Sequence, residues 1–339
     1  MSRLTDHVLI ITLASGAVAL DAGLDFPETI SSALRGEWSG VHTLADSHRV
    51  DAQQEELMLQ RSFDIRPGGA LAVDVHDADV EVQTGSGSGV EVKLYLHSED
   101  MEWARRMYER AGFRAEEQGS TVRLTSQEVR VDRRDWGRHR WYSVRASIRI
   151  PRQFDVTIRT GDGDVTVEDL DGSLDLRTAD GDVAVGRVSG VVEAHTQDGD
   201  VIVGDIEGLR VSVRSQDGDL SMGALAVEEA VIETQDGDVS VESVSGEVRV
   251  HTHDGDLRIG LTSVEGASIR TGDGDVTVYL PESFAADVDI QSESIDVGDA
   301  FQVTGSVSQH RIKGALNGGG PLLTVRTSDG SVTFRPASR

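Results

Sequence analysis

The stretch that decides the fold is TGDGDVTVEDLDGSLDLRTADGDVAV, at residues 160–185. It contains the tripeptide Asp-Gly-Asp twice, and the chain repeats this tripeptide at intervals of 18, 18, 19, 19, 18 and 19 residues. The seven copies begin at Asp162, Asp180, Asp198, Asp217, Asp236, Asp254 and Asp273. Self-similarity at a nearly fixed period is the sequence signature of a repeat architecture. The tripeptides therefore predict a stack of equivalent rungs, each with a corner at Asp-Gly-Asp.

Each repeat divides into two halves in which apolar and polar residues alternate. Val165 and Val167 follow the first corner, and Leu174 and Leu176 follow the turn at Gly172. Alternation with a period of two is typical of short strands that turn one face inward. The 19-residue intervals carry their extra residue in the second half. The sequence thus predicts an all-β fold, a parallel β-solenoid with two short strands per 18–19-residue rung and rungs about 4.8 Å apart.

The composition of the repeat region agrees with this fold. There is no proline between Pro151 and Pro281, where proline would remove a hydrogen-bond donor from the sheet. There is no aromatic residue between Phe154 and Tyr279, which indicates a thin core of Val, Leu, Ile and Ala.

Both ends of the repeat region depart from the pattern. Residues 77–79 (Asp-Ala-Asp) resemble a decayed corner, and residues 328–331 (Ser-Asp-Gly-Ser) a degenerate last corner. Residues 97–142, which lie between the decayed corner and the first repeat, interrupt the β pattern near the N-terminal side. We expect one amphipathic helix in this excursion, near residues 100–111. We expect four segments: a signal peptide at 1–19, a linker at 20–56, an N-terminal β segment with inserted helix and basic hairpin loop at 57–150, and the solenoid at 151–339.

The N-terminus contains the features of a secretory signal. Arg3 is followed by an apolar run at residues 8–13 and by Ala17-Val18-Ala19, an A-x-A cleavage site. The alternative is an ordinary N-terminal strand or helix. Export to the periplasm, cell surface or extracellular space is the prediction, with no transmembrane span in the mature chain because no other stretch approaches about 20 apolar residues.

Charge and cysteine content exclude several classes of function. The chain has 32 basic and 59 acidic residues, a net charge of −27, and no cysteine. A field of that sign repels phosphate backbones, so no nucleic-acid partner is expected. Disulfides, thiolate metal sites and cysteine nucleophiles are ruled out.

Four features resemble DUF4097, a bacterial family of putative adhesins. They are the opening segment 63–75 with Pro67-Gly68-Gly69, the serial T-x-D-G-D-V-x-V rungs, the break NGGGP at 317–321, and the closing strand pair at 323–334. The resemblance covers residues 57–336. It implies a β-solenoid, a cell-envelope or extracellular setting and an interaction role, and it supplies no catalytic residues. The corners here are more uniformly Asp-Gly-Asp than is usual in the family.

The Asp-Gly-Asp ladder has a structural and a functional interpretation. In the structural one, glycine supplies a positive φ for a tight corner and aspartate binds nearby backbone amides. In the functional one, the ladder binds calcium, as in calcium-binding nonapeptide β-rolls, although here Asp follows Gly directly. No cofactor is the prediction and calcium the alternative. The candidate ligands are Asp198, Asp200, Asp217, Asp219, Asp236, Asp238, Asp254 and Asp256.

Two further columns accompany the corners. Hydroxyl residues two positions before each corner are expected to point inward and bind corner amides: Thr160, Thr178, Thr196, Ser215, Thr234, Thr252 and Thr271. The residues one position earlier are expected to point outward and compensate the charge of the aspartates: Arg159, Arg177, His195, Arg214, Glu233, His251 and Arg270.

The segment 130–142, RVDRRDWGRHRWY, is basic and aromatic in an otherwise acidic chain. Arg and Trp are enriched at interface hot spots, so this segment is the best candidate for binding a partner. Its candidate residues are Arg133, Arg134, Trp136, Arg138, Arg140, Trp141 and Tyr142. The alternative is a hairpin tip whose arginines pair with the acidic body.

These observations favour a non-enzymatic, exported protein of the envelope or cell surface, with an adhesin-like interaction or structural role and a protein or glycan partner. A calcium-dependent β-roll module is the alternative. A β-helical glycan-processing enzyme is a second alternative, disfavoured because its site needs a unique carboxylate cluster whereas the aspartate pairs here are periodic.

Overall fold

The computed structural model describes residues 55–129 and 141–337 of the chain. These residues form 25 strands and a single helix, which confirms the all-β prediction. Before the repeats lie β1 (Glu55–Phe63), β2 (Gly69–Asp74), β3 (Ala78–Gly85), β4 (Val90–His97), α1 (Met101–Ala111), β5 (Arg114–Gln118), β6 (Thr121–Thr125) and β7 (Ser143–Pro151).

The repeats begin with β8 (Phe154–Arg159), β9 (Val165–Val167), β10 (Leu174–Arg177), β11 (Val183–Val185), β12 (Val188–Ser189), β13 (Val192–His195), β14 (Val201–Val203) and β15 (Ile206–Arg214). They continue in β16 (Leu220–Glu233), β17 (Val239–His251), β18 (Leu257–Arg270) and β19 (Val276–Leu280). The closing strands are β20 (Ala286–Gln291), β21 (Ser294–Asp296), β22 (Val303–Val307), β23 (Arg311–Leu316), β24 (Leu322–Arg326) and β25 (Ser331–Pro336).

Parallel pairing between equivalent positions of successive rungs builds two long faces that meet at the Asp-Gly-Asp corners. On the first, sheet A, β10 pairs with β8 on one side and β13 on the other. On the second, sheet B, β11 pairs with β9 and β14. Alternate side chains of both faces point into one aliphatic core, where Val165, Val167 and Leu176 are fully buried. The predicted parallel solenoid is therefore present.

The rung also has a short third side that the two-strand prediction did not include. Leu170 forms a β-bridge with Val188, and β12 pairs with the start of β15. From β16 onward the third side joins its flanking strands, so β16, β17 and β18 each run for 13 or 14 residues. Shifts of register fall between Ala226 and Glu229 and between Val241 and Glu247. The shifts after Ala226 and Gly246 lie in the second half of the repeat, as predicted, whereas the shift between Val241 and Val244 lies in the first half.

At the N-terminal end, the first rung in sequence is not the outermost. β2 pairs with β8 and β3 with β9, while β6 and β7 pair with the opposite edges of β2 and β3. Antiparallel β4 then covers β7, and β1 covers β4. Hydrogen bonding is therefore continuous across the boundary predicted at residue 150.

The C-terminal end uses the same device. Asp329 forms a β-bridge with Asp273, and β24 and β25 pair with β18 and β19. β20 and β21 pair with the far edges of β24 and β25, and the antiparallel strands β23 and β22 cover β20. Residues 328–331 form the last corner in the sequence, but the prediction that this corner ends the stack is wrong. The rung formed by β20 and β21 and the hairpin formed by β22 and β23 lie beyond it. Antiparallel strands at a sheet end cover unpaired backbone groups.

The predicted amphipathic helix is α1. It begins after Asp100, whose Oδ1 accepts a hydrogen bond from the Trp103 N–H at 3.1 Å, and it ends at Gly112 with φ 60°. Its buried face includes Trp103 and Met107. Within the ranges described, no helix combines the length and apolar character that crossing a membrane would require.

Candidate functional site

The second aspartate of each corner is part of a continuous hydrogen-bond ladder. Its Oδ1 accepts the backbone N–H of the equivalent aspartate on the next rung, at 2.8–3.3 Å. The residues in order are Asp79, Asp164, Asp182, Asp200, Asp219, Asp238, Asp256 and Asp275. Asp275 ends the ladder on the N–H and hydroxyl of Ser331. The predicted bonding of aspartate to backbone amides is confirmed, and it links rungs rather than closing a turn within one.

The corner glycines are required for a different reason from the predicted one. A positive φ occurs at the corner Gly274 but not at Gly181, Gly199 or Gly218. A Cβ on Gly218 would instead stand 2.0 Å from the carbonyl oxygen of Gly199. The prediction of a left-handed corner is therefore wrong at these positions, and close stacking of backbone on backbone excludes every side chain.

The hydroxyl column completes the corner from inside. The Thr196 hydroxyl donates to the carbonyl oxygens of Ala179, at 3.0 Å, and Gly181, at 3.4 Å, and accepts the Gly199 N–H at 3.2 Å. The bonds to carbonyls of the preceding rung recur at Thr178, Ser215, Thr234 and Thr252. These side chains are buried, as predicted, and their main partners are carbonyls rather than the predicted amides.

Burial changes the acidity at the N-terminal end of the ladder. It raises the pKa of Asp164 to about 6, although the hydrogen bond from the Asp182 N–H opposes this shift. The pKa of Asp79 is also raised by burial, against its bond from Asp164 and the charge of Arg145. Asp79 and Asp164 are thus the two members of the ladder whose pKa is raised by burial.

The proposed calcium ligands fall into two sets. Asp200, Asp219, Asp238 and Asp256 each have Oδ1 engaged in the ladder. Asp198, Asp217, Asp236 and Asp254 are exposed and make no ion pair within residues 55–129 and 141–337. In the same ranges no three His, Asp or Glu side chains are grouped as a metal ion would need. Calcium binding stays a prediction.

The outward column before the corners lies on sheet A in exact register from rung to rung. Arg177 pairs with Asp175 at 3.4 Å and Glu193 at 3.3 Å, and Arg214 with Glu233 at 2.7 Å. These arginines therefore compensate carboxylates of sheet A, and the prediction that they compensate the corner aspartates is wrong. The side chains of a flat parallel sheet reach their neighbours on the same face first.

A different arginine, Arg258 of sheet B, contacts the corner aspartates. Its guanidinium lies 3.4 Å from Asp256 and 3.9 Å from Asp238.

Most of the predicted partner-binding segment lies outside the described residues: Arg133, Arg134, Trp136, Arg138 and Arg140. Its last two candidates are described. The ring of Trp141 stacks on His97 at 5.3 Å, and the Trp141 carbonyl accepts a hydrogen bond from Ser98 Oγ. Tyr142 meets Trp103 of α1 edge to face at 5.6 Å. These contacts attach the end of the segment to the end of β4 and to α1.

One neighbour of the outward column was missed from the sequence. Arg326 follows Arg270 directly in sheet A, although 56 positions separate them in the chain. The signal was present: RTSDG at 326–330 matches RTGDG at 270–274. The column therefore extends beyond its predicted end.

Comparison with known proteins places this arrangement in a family. The model of the family described as Toastrack DUF4097 matches residues 68–335. No curated protein matches the chain.

Three solved structures illustrate the similarity. A putative adhesin from Bacteroides fragilis is 12% identical, covers 83% of this chain and 97% of its own, and has a TM-score of 0.37. A putative lipid binding protein from Parabacteroides distasonis has 11% identity, coverages of 84% and 98%, and a TM-score of 0.41. A putative adhesin from the same species has 9% identity, coverages of 84% and 99%, and a TM-score of 0.42.

Proposed function

The chain belongs to the DUF4097 (Toastrack) family, and from this premise we propose that it is a non-enzymatic, adhesin-like interaction protein of the bacterial envelope or surface. It acts as a rigid rod that presents outward side chains and the segment 130–142 to a protein or glycan partner.

The corner ladder is the observation that carries this proposal. The repeated chemical groups of the chain, aspartate carboxylates and threonine hydroxyls, bind backbone atoms of neighbouring rungs, as Asp219 and Thr234 do. They hold the rungs together. What varies from rung to rung is the outward surface, where arginine, histidine and glutamate succeed one another in one column. A regular frame with a variable surface suits recognition of an extended partner.

An exported location follows from the same proposal. The predicted signal peptide at residues 1–19 supports it. We also propose that the folded part of the chain consists of an N-terminal β segment at residues 57–150 and the solenoid at residues 151–339.

The test measures co-sedimentation of the purified chain with bacterial envelope fragments. Arg133, Arg134, Arg138 and Arg140 are replaced together by Gln, while Trp141 and Tyr142 are kept because they contact His97 and Trp103. The matched control replaces four arginines of the described body that already have acidic partners: Arg105, Arg152, Arg187 and Arg210. We expect binding to fall in the first variant and to persist in the second.

The polysaccharides of the same envelope fragments are analysed for shortening, which separates binding from catalysis. Binding without new glycan ends supports the proposal. Release of soluble oligosaccharides that depends on the folded chain would reject it in favour of a glycan-processing enzyme.

A calcium-dependent module is the second candidate, supported by the exposed row Asp198, Asp217, Asp236 and Asp254. Like charges repeated at the rung spacing of about 4.8 Å repel one another, and a divalent cation would relieve that repulsion. Envelope binding that requires Ca²⁺ would favour this candidate.

A further inference from the structure

The C-terminal third of sheet A carries a patch of basic side chains on an otherwise acidic protein. His251, Arg270 and Arg326 occupy equivalent positions on three successive rungs. All three side chains are exposed. Lys313, on the capping strand β23, is a fourth exposed basic side chain near this end of the sheet. We call His251, Arg270, Arg326 and Lys313 the basic patch.

The side chains of the basic patch make no ion pair with an acidic residue among those that the structure describes. Earlier in the same column the arginines are paired: Arg159 with Asp175, Arg177 with Glu193 and Arg214 with Glu233. The neighbouring carboxylates are already engaged, because Glu247 pairs with Arg249, and Asp289 with Arg311. In a chain with 59 acidic residues and a net charge of −27, a set of basic side chains without ion pairs is a distinct feature of the surface.

Hydroxyl groups lie beside the cations. Ser268 and Thr324 are in register with each other, two residues before Arg270 and Arg326. Alternation along a strand places residues two apart on the same face of a sheet. The patch therefore offers two guanidinium groups one rung apart, about 4.8 Å, with a hydroxyl next to each of them.

From this arrangement we propose that the basic patch binds a linear acidic polysaccharide, whose carboxylates contact Arg270 and Arg326. The proposal rests on the interaction role proposed above and names its ligand. Guanidinium groups bind carboxylates through paired, charge-assisted hydrogen bonds. Serine and threonine hydroxyls both donate and accept, which suits sugar hydroxyls. The glycan runs along the solenoid axis, so that successive acidic sugars meet successive rungs.

A nucleic acid fits the same surface less well. The acidic body repels its phosphates and the carboxylates of an acidic glycan alike, so net charge does not separate the two ligands. Sequence-independent binding of single strands, however, relies on aromatic side chains for base stacking, and the outward residues at and beside the basic patch, Ser268, Thr324 and Gln291, are polar and not aromatic. We therefore assign the patch to a glycan and use an oligonucleotide as an arm of the test.

The test measures equilibrium binding of oligogalacturonate to the full chain by calorimetry at low salt. Arg270→Gln with Arg326→Gln is expected to weaken binding by about tenfold or more, since two charge-assisted contacts are lost. The matched control, Arg177→Gln with Arg214→Gln, removes the same charge from the same column, but from arginines already paired with carboxylates. It is expected to change the affinity by less than about threefold.

Two further arms use an uncharged galactan of equal length and an oligothymidylate. Neither is expected to bind measurably, and binding of oligogalacturonate is expected to weaken as salt is raised. Equal losses in the two double variants, equal binding of the neutral galactan, or preference for the oligonucleotide would each overturn the assignment. So would absent binding of oligogalacturonate, and if envelope binding then persists, the proposed function survives this failure. Unchanged melting of both variants establishes that they fold.

Discussion

The carboxylate Oδ1 of Asp219 accepts a hydrogen bond from the backbone N–H of Asp238, one rung away, at 2.8 Å. The parallel sheets supply no partner for this N–H, because the corner interrupts the strands on both rungs. The side chain of one rung thus continues the inter-rung hydrogen bonding of the backbone around the corner. This hydrogen bond explains why the second aspartate recurs in every repeat, and it predicts that removing one such side chain lowers the stability of the fold.

Replacing Asp219 by Ala is expected to lower the free energy of unfolding by about 0.5–2 kcal/mol, comparable to the loss of a helix N-cap, because a backbone N–H loses its charged acceptor. The measurement is chemical denaturation monitored by circular dichroism. Asp217 of the same corner provides the control, since it is exposed and makes no ion pair in the described part of the chain. An equal loss for Asp217→Ala would show that the ladder bond is not the cause.

Replacing Gly218 by Ala is expected to destabilise the fold by about 2–4 kcal/mol, because Cβ would collide with backbone atoms that cannot move independently. That atom would stand 2.0 Å from the Gly199 oxygen and 2.6 Å from its carbon. Gly87→Ala is the control, since nothing lies within 4 Å of its Cβ position. The thermal melting temperature reports both. Tolerance of Ala at position 218 would contradict the stacked-backbone account.

The rungs could be predicted from the sequence because each depends on local alternation and on a corner that recurs at fixed spacing. The ends could not. β24 pairs with β18 across 51 intervening residues of chain that contain β19, an outer rung and a hairpin, and alternation within a strand does not specify which strand is its neighbour. The same gap concealed the proximity of Arg326 to Arg270.

The chemistry of the corners was predicted only in part. Glycine at a tight corner is usually explained by a positive φ angle. At Gly218 the reason is instead the short distance to the backbone of the neighbouring rung, and the sequence of a single rung does not show that distance. The arginines of the outward column likewise have two sets of acidic neighbours in the sequence, the corner aspartates and the carboxylates of sheet A. Only the register of sheet A shows that Glu193 is within reach of Arg177.

Calcium is expected to be dispensable for folding. The ladder aspartates already have backbone partners, so the fold is predicted to form in EDTA, and millimolar Ca²⁺ to add less than about 2 kcal/mol, compared with about 2.7 kcal/mol for a ligand at 100 times its dissociation constant. Thermal melts in EDTA and in Ca²⁺ measure this. A chain that is unfolded in EDTA and folds cooperatively in Ca²⁺ would identify a metal-dependent module.

The last prediction concerns pH and the buried end of the ladder. The pKa of Asp164 is raised from 3.8 to about 6 in the folded protein, chiefly by burial. Between these values the folded state binds more protons than the unfolded state, so the contribution of Asp164 to stability is greatest below about pH 4 and is lost as pH rises through 6. At pH 7.5 the charged, poorly solvated carboxylate costs stability.

Asp164→Asn removes this charge and keeps an oxygen that can accept the Asp182 N–H. Relative to the wild type, the variant is therefore expected to be more stable at pH 7.5 than at pH 4, by about 1–2 kcal/mol after allowance for the partial exposure of the group. Denaturation of both proteins at the two pH values gives this difference directly. Asp219→Asn, made at an exposed position of the same ladder, is the control. If it shows the same dependence on pH, the effect belongs to the row of charges as a whole, and the burial of Asp164 is not its cause.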